Sequence, residues 1–331
     1  MVGRLMAVQG ENRPAWIGLT RVVIQRVLSA LLTLFLVSIV IFIAASLLPG
    51  DAAQEVLGQS ATPQQVAALR HEMGLDQPAI TRYVDWLVAM LSGDPGRSYI
   101  ADMEVSDLIG ERLRNSLTLA GVTALVSSVL ALTIGIVSAI NRGSKLDRTL
   151  NVVTLSLVAV PEFLIATIFV LIFSVKLVWL PSIAMVSPDA SWGDMLRSMA
   201  LPVLCLTFVV TAQMARLTRA AVADQLDRPY VEMARLKGVP FRRIILFHVL
   251  PNAAGPVLNA MALSLSYLMG GAIIIETIFS FPGLASLMVN AVTSRDMPLL
   301  QSCAMIFCTA YLVLILIADV VAILANPRLR S

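Results

Sequence analysis

The sequence predicts an all-α, polytopic membrane protein with six transmembrane helices. Three observations predict it. Of 331 residues, 58% are apolar and only 14% are charged, where a soluble domain carries roughly a quarter charged residues. Apolar runs of about 20 residues recur along the chain, the length that crosses the hydrocarbon core as a helix. The runs are continuous, not alternating, so the pattern of a membrane barrel is absent. Helices satisfy their own backbone polar groups in lipid, which makes them the natural spans.

The expected spans are 27–48, 115–140, 150–175, 199–215, 256–280 and 299–325. A tail over 1–26, carrying Arg4, Arg13, Arg21 and Arg26, precedes the first. That first apolar run exceeds the signal-peptide core of about 7–15 residues, so it reads as a retained span. Pro49-Gly50-Asp51 ends it, and residues 49–114 form an extracytoplasmic loop. In that loop "TPQQVAALRHEMGL" reads as a short helix, with Thr62 as N-cap, Pro63 in the first turn and Gly74 as the stop. "YVDWLVAMLSGDPGRS" follows as an amphipathic segment with aromatics that suits a membrane surface. The loop reads as a packed outer cap or as a docking surface for an outer partner. Residues 115–325 form a five-helix core with an inner loop at 216–255, and 326–331 form a short tail.

Orientation follows from the distribution of Lys and Arg. With the amino terminus inside, sixteen of the 24 basic residues fall on the inner face and eight on the outer. Five of those eight lie in the single long outer loop, where the rule is weak. Both termini are therefore expected to be cytoplasmic. Cys205, Cys303 and Cys308 all sit in apolar runs and read as helix packing. His71 and His248 fall on opposite faces, so they share no metal site, and no metal or cofactor is expected. The basic residues follow a membrane face and give no reason to expect nucleic acid. No catalytic constellation has its members at one membrane depth.

The inner loop is unusually ordered for a basic connection. Asp227 is placed to cap a helix whose first turn holds Pro229. Tyr230, Met233 and Ala234 fall at i, i+3 and i+4 and share a face. Glu232 and Arg235, at i and i+3, are spaced to pair along the surface. Lys237 ends the helix and Gly238 suits the left-handed position just beyond it. Val239-Pro240 blocks continuation, and a second helix runs from Phe241 to Leu250. By charge alone the segment reads as a generic basic loop on the inner face, while helix, glycine turn and helix together fit a short element presented to another protein.

Glu232-Met233-Ala234, three residues, Gly238, nine residues and His248-Val249-Leu250-Pro251 resemble the "EAA" signature of bacterial ATP-binding-cassette (ABC) import permeases. Met233 and His248 depart from the general pattern at positions that the peptide-importer branch commonly varies. "GRSY", "ERLRNSLTLA", "VPEFLIATI", "GGAIIIETIFSFPGLASLM" and "ADVVAILANPRLR" are similar to the B-type permease of dipeptide, oligopeptide and nickel importers. The resemblance covers about residues 20–331, and the long first outer loop marks the B-type subunit. It implies a type I importer in the cytoplasmic membrane. A second, C-type permease would complete the pore, two cytoplasmic ATP-binding subunits would dock below, and an extracytoplasmic binding protein would deliver a peptide. The helix around Tyr230–Lys237 would be the coupling helix. Glu232 would then make a charged contact with an ATPase, Ala234 would permit close approach, and Gly238 would set the angle of the next helix.

The chain has no Gly-x-x-x-x-Gly-Lys-Ser/Thr, so energy for active transport must come from another chain or from an ion gradient. Ionisable groups inside spans are costly and face the bundle interior or water. Glu162, after Pro161, reads as a bundle contact or as a wall of the translocation path. Glu276, before "FSFPG", reads as a path residue or as a snorkelling, helix-packing or turn-organising contact. Asp319 reads as a partner of a nearby donor such as Arg328 or of a neighbouring helix end. The rival classes are a nickel- or glutathione-type permease, a secondary transporter using Glu162 or Asp319 as proton carrier, and an intramembrane hydrolase. The hydrolase lacks a catalytic set.

Overall fold

The computed structural model describes residues 15–47, 50–58, 60–185 and 191–325. Inner and outer follow the charge asymmetry of the sequence. Among the described residues the chain is helical, with one isolated β-bridge between Arg97 and Glu104. The first span lies in α1 (Ala15–Ser46), which begins inside the stretch expected as a tail. The outer loop folds into α2 (Ala52–Leu57), α3 (Pro63–Glu72) and α4 (Ala79–Leu91). The start of α3 is a reciprocal capping box. Thr62 N–H donates to Gln65 Oε1 at 2.9 Å, and Gln65 N–H donates to Thr62 Oγ1 at 3.4 Å. Gly74 takes φ +66° just past its end.

The bundle is built around α5 (Val105–Ile140) and α8 (Trp192–Leu226). At about 1.5 Å per residue both exceed the ~30 Å hydrocarbon core and project beyond it. On α5 every fourth residue is buried: Asn115, Leu119, Thr123, Ser127, Ala131, Gly135 and Ala139. Small side chains on that ridge let the two helices approach closely, as membrane helix pairs require. Gly135 marks the tightest point. A Cβ there would lie 2.7 Å from Thr218 Cβ and 2.8 Å from the Ala215 carbonyl oxygen.

The run expected as one span over 150–175 is two helices. These are α6 (Lys145–Ala159) and α7 (Glu162–Phe169), the latter widening into π-helical turns over Val170–Lys176. Their axes differ by 102°. Pro161 lacks the N–H that would continue α6, and Val160 before it is extended at φ −84°, ψ 129°. The fourth span, expected over 199–215, is the middle of α8, which continues to Leu226; the inner connection is shorter than 216–255. It holds α9 (Pro229–Leu236) and α10 (Phe241–Ile244), which passes through a π-helical stretch into α11 (Leu250–Ile278). Then come α12 (Leu284–Thr293) and α13 (Met297–Ala325). Five described helices are long and apolar enough to cross a membrane, and six spans result when α6 and α7 count as one. The pairing expected between Asp319 and Arg328 lies outside the described residues.

Three apolar clusters stack along the bundle. The outer one joins Val105 and Ile109 to Leu284, Leu287, Leu299 and Cys303. The middle one centres on Leu119, Met199, Leu201, Phe279 and Phe281. The inner one packs Val222, Val231, Ala234, Ile244, Val249 and Val257. Cys205 and Cys303 are buried in these clusters, as their apolar settings predict. The outer loop is tied to the start of α13 by Asp296, which is buried and accepts from the Ser98 hydroxyl and from Tyr99 N–H (3.2 Å).

Candidate functional site

At the inner end, one polar knot fixes the scaffold from which α9 projects. Asp147 sits in the first turn of α6, where Ser144 accepts its N–H at 3.1 Å. Its carboxylate receives Arg219 of α8 in a two-pronged contact, Nε to Oδ1 at 2.7 Å and Nη2 to Oδ2 at 2.8 Å. Ser138 of α5 donates at 2.6 Å, Asn151 at 2.7 Å and the Gly143 N–H at 2.9 Å. One carboxylate thus joins three helices, with its lone pairs occupied, which is the condition for keeping a charge buried. Sequence reasoning missed this knot. Ser144-x-x-Asp147 ahead of an apolar run was the available signal.

Asp227 was expected to cap α9. Instead it closes the C-terminus of α8, and its side chain accepts from Arg142 Nη1 at 2.5 Å. Arg228 occupies the N-cap of α9 without capping it through its side chain, which donates instead to Asp224 Oδ2 at 2.7 Å. Pro229 at the first helical position provides the preset φ. The far end is as expected. Gly238 has φ +75°, its N–H donates to the Arg235 carbonyl at 2.9 Å, and Val239 N–H donates to the Ala234 carbonyl at 3.1 Å. Those two bonds are the Schellman arrangement, which needs a left-handed residue.

The faces of α9 divide differently from the expected Tyr230–Met233–Ala234 grouping. Val231 and Ala234 are buried on the inner cluster, so the small Ala234 lets α9 sit close on its own scaffold. Tyr230 lies at the edge, its hydroxyl 3.0 Å from Gln225 Oε1 and 3.4 Å from the His248 carbonyl oxygen. Burial pushes its phenol above the ordinary value, which keeps it a neutral donor. Arg235 does not pair with Glu232; its guanidinium stands over the Phe241 ring at 5.3 Å. Glu232, Met233, Leu236 and Lys237 all face outward, with Leu236 77% exposed.

Glu162 opens α7, immediately after the sharp bend. It is half-buried, faces Tyr267, and its Oε2 has no hydrogen-bond partner. Gly271 on α11 makes room for it: a Cβ there would lie 3.0 Å from Oε2. Tyr267 also lines a cavity of about 560 Å³ together with Asn151, Gln213, Arg216 and Arg219. Tyr267 thus stands between Glu162 and a cavity whose lining mixes these polar side chains with Val158, Val209 and Leu217.

Glu276 is placed quite differently. It is fully buried, and both oxygens are engaged. Ser116 donates to Oε1 at 2.5 Å, while Ala285 and Ser286 N–H donate to Oε2 at 2.8 and 3.1 Å. Ser116 in turn accepts Leu284 N–H at 2.8 Å, so the free donors of the first turn of α12 are satisfied by side chains from α5 and α11. Gly283 passes directly beneath this carboxylate, with no space for a Cβ. Of the two readings open for Glu276, the geometry is that of a turn organiser. Among the described residues, no group of His, Cys, Asp and Glu has the arrangement of a metal site.

Comparison with known proteins agrees with this architecture. The family described as "Binding-protein-dependent transport system inner membrane component" matches residues 131–331, and its N-terminal companion matches 19–120. The chain is 33% identical over 308 residues to the glutathione transport system permease protein GsiC of Escherichia coli (strain K12), covering 93% of this chain and 98% of that one. It is 34% identical over 312 residues to a protein that carries the name of a peptide transport system permease in Brucella abortus (strain 2308), covering 94% and 99%. Its fold matches a chain of the MetNI methionine ABC transporter in inward-facing form with a TM-score of 0.54, at 17% identity, over 66% of this chain and 96% of that one. A many-helix membrane bundle with a displayed inner helix, matched to these profiles over nearly its whole length, belongs to the family of inner membrane permease components of binding-protein-dependent ABC importers, and is a transport subunit, not an enzyme.

Proposed function

We propose that this permease carries short peptides inward as the B-type half of a pore completed by a C-type permease, with both termini cytoplasmic. Two ATP-binding subunits dock at its inner face, and a binding protein delivers the peptide from outside. The observation that carries the reading is α9. It is held to the bundle by Val231, Ala234 and a glycine-closed C-terminus, while Glu232, Met233, Leu236 and Lys237 point away with no side-chain bonding partner among the described residues. A short rigid helix so held transmits displacement, whereas a flexible loop would absorb it. The Glu162–Tyr267–Gln213–Arg216 surface supplies polar contacts along the path.

The test uses the assembled transporter in proteoliposomes. Cysteines at Met233 and Leu236 are expected to crosslink to an ATPase subunit, and Glu232→Ala and Gly238→Val are expected to lower ATP-driven uptake while leaving membrane insertion intact. Normal uptake by both variants would defeat the coupling role of α9. Competition among dipeptides, longer peptides, glutathione and nickel assigns the solute. The similarity to a glutathione permease along nearly the full chain favours glutathione, itself a short peptide, as the second reading.

A further inference from the structure

We infer that α4, although part of the outer loop, is a membrane-embedded helix whose outward face lies among the acyl chains of the outer leaflet. The first observation is depth. The Tyr83 hydroxyl bonds Ser38 Oγ at 2.9 Å, and the Phe42 ring lies 5.3 Å from Tyr83 and 6.2 Å from Trp86. Ser38 and Phe42 precede the outer end of α1 at Ser46, so at 1.5 Å per residue they lie roughly 12 and 6 Å below it. An interfacial helix settles about 5–10 Å into the headgroup and acyl boundary. Helix α4 is thus docked beside the span, below its outer end, and does not stand above the membrane.

The second observation is the face that α4 leaves bare. Ile80, Val84, Val88 and Leu91 recur at helical spacing and are 75, 49, 60 and 80% exposed. At 3.6 residues per turn this stripe lies on the side opposite Arg82, Tyr83 and Trp86, which face α1. The stripe is aliphatic and uncharged. The aromatic and Arg side chains that anchor protein–protein interfaces are turned the other way. At the depth set by Ser38 and Phe42, an aliphatic and uncharged stripe has acyl chains as the occupant its chemistry fits.

The inference is tested on the full transporter in lipid vesicles, in a background with Cys205, Cys303 and Cys308 replaced by alanine. Nitroxide labels are attached singly at 80, 84, 88 and 91, with Gln77 and Gly93 as flanking references. The expected result is high collision with oxygen and low collision with a water-soluble nickel chelate at all four stripe positions, and the reverse at both references. Nickel collision equal to that at Gly93 would place the stripe in water and overturn the inference. Protection from both reagents would place a protein partner on it and also overturn it. The unmodified chain provides an independent reading, because a phospholipid with a photoactivatable group in its acyl chain is expected to label the peptide 79–91. Labelling confined to the spans would contradict the assignment.

Discussion

The two ends of the bundle use carboxylates in opposite ways. At the outer end Glu276 and Asp296 are buried, and their oxygens are taken by Ser116, Ala285, Ser286, Ser98 and Tyr99. They fasten turns to helices inside one chain. At the inner end Asp147 does the same for α5, α6 and α8, but on α9 Glu232 stands exposed with no bonding partner among the described residues. A carboxylate engaged internally maintains the scaffold, whereas the carboxylate of Glu232 is open to solvent and, under the proposed function, to a docked ATPase. Under that proposal the difference separates stability from coupling, and it is measurable.

The largest effect is expected at the outer clamp. Glu276→Ala leaves two buried N–H groups and a hydroxyl without their acceptor, at about 1–3 kcal/mol for each buried group stranded. Thermal unfolding of the purified transporter should fall by many degrees, and uptake with it. An unchanged unfolding temperature would show that the clamp does not bear on the fold. Next is the inner knot. Asp147→Ala and Arg219→Ala should each destabilise by about 2–4 kcal/mol, since each strands a charge of which little is exposed. The double variant should cost less than the sum, and strict additivity in a double-mutant cycle would mean that the pair is not coupled.

Gly135→Val should cost about 1–3 kcal/mol, because Thr218 and the Ala215 carbonyl leave no room for a side chain at the helix crossing. Gly238→Ala should cost about 1 kcal/mol, from its positive φ alone, as nothing lies within 4 Å of the added carbon. Comparing these two glycines by thermal unfolding separates steric crowding from backbone strain. The smallest stability effect is expected for Glu232→Ala, within about 0.5 kcal/mol as for an ordinary surface substitution. Its loss should appear in ATP-driven uptake instead. A large fall in stability at Glu232 would erase the distinction between the two ends.

What the sequence made legible is what the backbone decides locally. Pro229 presets the start of α9 and Gly238 its left-handed stop through local backbone preference, and the expected α9 is the observed one. Thr62 and Gln65 likewise sit three residues apart in a self-contained box. Less legible was anything settled by distant packing. The polar stretch after 215 reads as a loop, yet α8 stays helical to Leu226 because α5 and α6 support it through Gly135 and Asp147. That extension also converted Asp227 from an expected N-cap to a C-cap. The role of Glu276 depends on Ser116, 160 residues away along the chain. Pro161 announces a break in the third span, but its 102° angle is set by how α6 and α7 each lie on α8.

That break has a mechanical consequence. A straight rod through the bilayer couples its two ends, so tilting one leaflet's half tilts the other. Across Val160 and Pro161 no helical hydrogen bond continues, and the backbone turns through an extended residue. Below this elbow Asp147 locks α6 to its neighbours, and above it α7 lies on the same long α8, so any tilt passes between the two halves through α8 and not along their own backbone. The third span thus has two segments pointing in different directions within a single crossing of the chain.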